Sequence, residues 1–113
     1  MKKFTGILLA MVLALGAVLL PAMAAAEIPI HFPDANFEAA VREEIGKPSG
    51  EIYPADVAGV TELEIDGRGI SDLTGIKYFT SLQTLSCYNN NLSELDLSEL
   101  TSLTYLYCYY SCN

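Results

Sequence analysis

Cationic side chains are scarce in this chain of 113 residues, where six Lys and Arg stand against 14 Asp and Glu. Two of the six, Lys2 and Lys3, sit at the amino end, ahead of an apolar run from Ile7 to Leu20. Small residues follow, and this order of basic, apolar and small segments is that of a secretory signal peptide. Ala24 and Ala26 meet the small-residue requirement, which places the cut between Ala26 and Glu27. The apolar run is short for a membrane span, and a cleavage motif follows it directly, so no integral span is expected after cleavage. With residues 1–26 removed, four cations oppose all 14 acids over 87 residues, a net charge of −10. Such a surface repels phosphate backbones and anionic lipid, so nucleic acid is not an expected partner. The same charge also serves plain solubility.

Histidine is limited to His31, and no cysteine precedes Cys87. The second absence excludes a lipid-modified cysteine at the cleavage point. No C-x-x-C or His-plus-Cys spacing suggests zinc, and no Ser-His-Asp set or glycine-rich phosphate loop is present. Neighbouring acids at Glu43 and Glu44 do not face each other on a helix. Glu62 and Glu64 would share a strand face, but an open one without a cleft. GKPSGEIYPAD has the Gly-x-Ile centre of a calcium-binding loop, yet Ile45, Lys47 and Ser49 would occupy the first ligand positions. Two of these cannot bind calcium. No catalytic residue, metal or cofactor is expected.

What the chain does contain is a repeat. TSLQTLSCYNNNL from Thr80 and TSLTYLYCYYSCN from Thr101 coincide at a shift of 21, and VTELEIDGRGI from Val60 fits at 22. The common pattern is L-x-x-L-x-(L/C/I)-x-x-N-x-L, the leucine-rich-repeat signature, with a period inside its range. Apolar residues continue each unit: Leu73 and Ile76 in the first, then Leu95, Leu97 and Leu100 in the second. Upstream, Asp34 is placed to cap a helix whose Phe37, Val41 and Ile45 recur every four residues, ended by Gly46 and Pro48. Pro54 opens a second helical turn that stops near Gly59. These pieces would cover the first strand's open core, as a terminal cap must in a solenoid.

Ile28 to Leu106 resembles the amino-terminal cap and first repeats of internalin-like, secreted leucine-rich-repeat proteins of Gram-positive bacteria. The stretches that carry the likeness are FPDANFEAAVREEIGK, VTELEIDGRGISDLTGIKYFTSLQTL and the L-x-C-x-x-N-x-L unit from Leu85 to Leu92. The resemblance implies an α/β fold: a short leucine-rich-repeat solenoid with a parallel sheet on its concave side. A 3₁₀ or irregular convex side and a small α-helical cap complete it. The expected division is a signal peptide (1–26), a helical cap (27–59) and repeats (60–113, as 60–81, 82–102 and a partial 103–113). It also implies a secreted or cell-surface location and a concave face that binds protein or carbohydrate, with no catalytic residues. The rival expectations are a structural or display module of a larger exported protein, or the front part of a wall-active hydrolase.

Slots four and six of each unit should point inward, and slots three, five and seven to the concave face. The expected binding surface is then Glu62, Glu64 and Asp66 on the first strand, Thr84, Ser86 and Tyr88 on the second, and Tyr105, Tyr107 and Tyr109 on the third. Tyrosine suits recognition because it offers a large contact area with a polar handle. It also simply favours strands, and acids on an edge strand also deter aggregation, so each column has a plain structural alternative. Cys87 and Cys108 share the inward sixth slot on neighbouring strands, where they should pack as small apolar residues rather than bridge. Asn90 stands in the asparagine slot, placed to satisfy backbone groups of the turn; Arg68 and Ser111 replace it in the other units. The last unit carries Ser111 and Asn113 where asparagine and leucine belong, with no convex segment or cap after it. Self-association through that edge, or through Cys112, is therefore expected.

Overall fold

The computed structural model describes residues 28–109; the signal segment and the turn with Ser111, Cys112 and Asn113 lie outside the described residues. Helix α1 spans Ala35–Ile45 and begins where Asp34 Oδ1 accepts the Asn36 and Phe37 N–H groups at 2.9 and 3.0 Å. That supplies acceptors to two N–H groups that the first turn leaves without intrahelical partners. Gly46 ends the helix in the left-handed region at φ 67°, and the Lys47 N–H closes back on the Arg42 carbonyl at 3.0 Å. Phe37, Ala40 and Val41 form the buried face, with Ile45 half-buried. Full burial of Phe37 and Val41 contributes about 2 kcal/mol of apolar transfer each, and Ala40 less. A short helix α2, Pro54–Val57, starts on a proline and is held by Asp56, whose Oδ2 accepts the Tyr53 N–H at 2.8 Å.

Three short strands follow: β1 (Glu62–Glu64), β2 (Thr84–Ser86) and β3 (Tyr105–Tyr107). They form one parallel sheet in the order β1-β2-β3, with Glu62 beside Thr84 and Thr84 beside Tyr105. These partners are 22 and 21 residues apart, the two shifts seen in the sequence. The ladder continues past the strands, since the Gly67 N–H donates to the Tyr88 carbonyl (3.0 Å) and the Asn89 N–H to that of Tyr109 (2.9 Å). The chain returns on the convex side through a 3₁₀ turn at Ile76–Tyr78. Asp72 opens that return by accepting the Thr74 N–H at 2.8 Å, and Asp96 does the same for Ser98 at 3.1 Å. Short side-chain-to-backbone turns of this kind set the chain's bend without a helix. The observed architecture is the capped solenoid expected from the repeats.

The core runs as a single stack between the sheet and the convex turns. Leu63, Ile65, Leu85 and Cys87 fill the inward slots and are fully or almost fully buried. Phe37 from the cap and Phe79 from the convex side meet beneath them, ring centroids 6.5 Å apart. On β3 the same slot behaves differently: Leu106 is 41% exposed and Cys108 half-buried. Among the described residues β3 pairs only with β2, so its inward side chains are covered from one side.

Candidate functional site

The strand register brings the nine sequence-predicted residues onto one face. Parallel pairing puts Glu62, Thr84 and Tyr105 in one row and Glu64, Ser86 and Tyr107 in the next. The extended ladder carries Asp66, Tyr88 and Tyr109 alongside them. Together these nine line a shallow, open concavity of about 560 Å³. Its acidic end adjoins a second depression formed by Glu44, Glu62 and Glu64 with the loop at Gly59–Thr61. Neighbouring strands lie about 4.8 Å apart and alternate residues roughly 6.6 Å apart, which makes the face a three-by-three grid about 10 Å by 13 Å.

Seven of the nine behave as an outward-facing set. Tyr88, Tyr105, Tyr107 and Tyr109 are between 44% and 72% exposed. Their hydroxyls meet no protein partner among the described residues. Glu62 and Glu64 are exposed and likewise unengaged, and Thr84 is half-exposed.

Ser86 departs from the expectation. It points to the concave side but is only 9% exposed, because its hydroxyl donates to Asp66 Oδ1 at 2.7 Å. The same oxygen accepts the Tyr88 N–H at 3.0 Å. Asp66 is thus half-buried and ties the end of β1 to the end of β2, so its carboxylate is partly spent on structure. A short polar side chain facing an acid across neighbouring parallel strands was the available signal.

Below the face, Asn90 is buried and joins two repeats. Its Oδ1 accepts the Arg68 and Ile70 N–H groups, each at 3.0 Å, while its Nδ2 donates to the Ile65 and Cys87 carbonyls, each at 2.9 Å. The asparagine of the second unit therefore serves the first as well, where Arg68 holds the equivalent slot. Arg68 instead turns outward to Glu43 on α1, at 2.8 Å. That hydrogen bond and the guanidinium charge hold the Glu43 carboxyl below its ordinary range.

No group of three or more His, Cys, Asp or Glu among the described residues is arranged to hold a metal ion. No helix among them is long and apolar enough to cross a membrane.

Known proteins show the same pattern. The family model described as leucine-rich repeats (2 copies) matches residues 80–113. Internalin J from Listeria monocytogenes serotype 4b (strain F2365) is 40% identical over 71 residues. That alignment takes in 62% of this chain but only 8% of the relative, so the chain spans a small part of its length. In solved structures, the internalin InlF of Listeria monocytogenes superposes with a TM-score of 0.71 at 28% identity, over 76% of this chain and 27% of that one. The functional domain of InlJ from Listeria monocytogenes, described as including a cysteine ladder, gives 0.51 at 28% identity, over 68% and 22%.

Fold, repeat and register define a leucine-rich-repeat solenoid opened by a helical cap. In both sequence and structure the chain is similar to the leucine-rich-repeat region of internalins.

Proposed function

We propose that the chain is a non-catalytic recognition module that binds a protein or glycan ligand through its concave face. The observation that carries this reading is the convergence of Glu62, Glu64, Asp66, Thr84, Ser86, Tyr88, Tyr105, Tyr107 and Tyr109 on a single concavity. Four exposed tyrosines whose hydroxyls meet no partner among the described residues offer a patch that a ligand can cover. Asp66 and Ser86 brace the floor, and the remaining seven make the contacts. Ligand buries the rings, and Glu62 and Glu64 select among ligands by charge. In this reading residues 1–26 are removed on export, 27–59 form the cap and 60–113 the repeats, and the product is secreted or displayed at the surface of a Gram-positive bacterium. The InlJ domain's cysteine ladder has its counterpart in Cys87 and Cys108, stacked in one slot of adjacent strands.

The test is capture on arrays of purified cell-surface proteins and glycans, run beside the double variant Tyr105→Ala, Tyr107→Ala. Both rings lie outside the core, so the variant keeps the fold while losing anchors that contribute about 2 kcal/mol each when buried at an interface. Ligands that bind the native chain should be lost. Undiminished capture by the variant would return the tyrosines to strand preference alone.

A further inference from the structure

We propose that the concave face takes an extended polypeptide segment carrying basic side chains at alternate positions. The proposal rests on the recognition reading above and specifies its ligand.

The cations of the described residues are committed elsewhere. Arg42 holds Glu38 at 2.9 Å and the carbonyls of Lys47 and Gly50 at 3.0 and 2.8 Å. Lys47 pairs with Asp56 at 3.0 Å, and Arg68 with Glu43 at 2.8 Å. Lys77 sits over the ring of Tyr78, beside the convex turn. None of the four lines the concavity. Glu62 and Glu64 therefore face solvent on a surface with acids and no counter-charge. With the cations of the described residues engaged elsewhere, that charge is left for a ligand to match.

Spacing narrows the ligand further. Glu62 and Glu64 are alternate residues of one strand, roughly 6.6 Å apart, the same repeat as alternate side chains of an extended peptide. A segment lying along β1 sets two successive basic groups over two carboxylates. The rows then lead across β2 to Tyr105 and Tyr107, about 10 Å away. Their exposed rings offer π faces, on which a guanidinium stacks. Acidic and aromatic ends of the face thus select one chemistry. A neutral glycan satisfies the rings and leaves the carboxylates unmatched, which is why the polypeptide is preferred.

The experiment is fluorescence anisotropy on the mature secreted chain with three capped decapeptides, alternating serine with arginine, glutamine or glutamate. The arginine peptide should bind, weaken as salt is added, and show about a tenfold higher Kd with Glu62→Gln, Glu64→Gln. A second variant, Glu94→Gln, Glu99→Gln, removes the same charge from the convex side and should leave the Kd unchanged. Equal binding of the glutamine peptide, no binding of the arginine peptide, or equal losses in both variants would overturn the proposal. Array ligands lost on Tyr105→Ala, Tyr107→Ala, beside an arginine peptide that does not bind, sink the basic ligand and leave the recognition face standing. If the arrays give nothing sensitive to those tyrosines, the recognition reading itself fails.

Discussion

The Oδ2 atom of Asp34 accepts the Ser71 N–H at 2.8 Å, joining the start of α1 to the first convex turn. It also accepts the Asp72 N–H at 3.1 Å, while Oδ1 caps the helix. One carboxylate thus begins the cap helix and fixes it to the repeats. Burial raises its pKa, but hydrogen bonds from the Ser71, Phe37, Asn36 and Asp72 N–H groups outweigh that and hold it below the ordinary 3.8. A depressed folded pKa gives stability that is complete above the unfolded value and is lost as pH falls through the folded one. Stability should therefore fall below about pH 4, with Asp56, also lowered by its Tyr53 and Lys47 bonds, adding to the slope. Asp34→Ala should cost about 2 kcal/mol at neutral pH and flatten the acid dependence. Urea unfolding at pH 7 and pH 3 measures both, and an unchanged acid slope would contradict the assignment.

Asn90 makes a sharper case because both ends of its amide are used in the interior. Asn90→Ala removes the acceptor of the Arg68 and Ile70 N–H groups and the donor to the Ile65 carbonyl, and should destabilise by about 3 kcal/mol. Asn90→Asp keeps the shape but turns an acceptor toward the Ile65 and Cys87 carbonyls. Its loss should be small in acid, where the carboxyl is protonated, and grow as pH rises. A thermal unfolding series from pH 4 to 8 checks the trend. Equal losses for the two variants at every pH would show that the amide does not bridge the repeats.

Much of this was legible beforehand, and the reasons are local. A period of 21 to 22 residues fixes the strand register, because each unit can bury its leucines only by stacking on the next. Alternation then assigns Leu63, Leu85 and the tyrosines to opposite faces. Asp34 was readable as a helix cap, since that role depends on the next three residues. Its second role was not, because Ser71 lies 37 residues away and nothing in spacing reports the contact. The hydrogen bond from Ser86 to Asp66 was hidden for a related reason. Alternation gives the direction of a side chain, and its partner comes from the neighbouring strand.

Gly75 shows another long-range constraint. Its φ is 108°, and a Cβ there would stand 2.7 Å from Phe32 Cε1 and 3.2 Å from Ile30 Cγ2. Phe32 is buried and packs edge-on against Phe37, 5.4 Å between centroids, so it has little room to yield. Gly75→Ala should cost about 2 kcal/mol or more, from backbone strain and overpacking together. The cost should shrink in a Phe32→Leu background, which frees the space at the ring edge. Chemical denaturation of the double-variant cycle tests this; strictly additive losses would mean that strain alone is responsible.

Export should remove residues 1–26, because Ala24 and Ala26 precede the cut in the positions the peptidase requires. Intact-mass measurement of secreted protein should find Glu27 at the amino terminus. Material that retains Lys2 and Lys3 would point to an uncleaved anchor instead.

The exposed side of β3 leads to the last prediction. Leu106 is 41% exposed where Leu63 and Leu85 are fully buried, and its chain neighbours Tyr105 and Tyr107 are exposed on the opposite face. Glu99 is the last charged residue of the sequence, so this edge carries none of the acids that repel copies elsewhere. Protein edges are commonly kept apart by charge or by proline, and neither is present here. A polypeptide of residues 27–113 should therefore self-associate at tens of micromolar, by pairing of β3 edges. Sedimentation velocity should show the association with and without reductant, and Leu106→Lys should leave a monomer by setting a charge on the edge. Association that vanishes with reductant or with Cys112→Ser would assign the contact to a disulfide. A native polypeptide that stays monomeric in both conditions would mean that the chain beyond Tyr109 folds back over the edge.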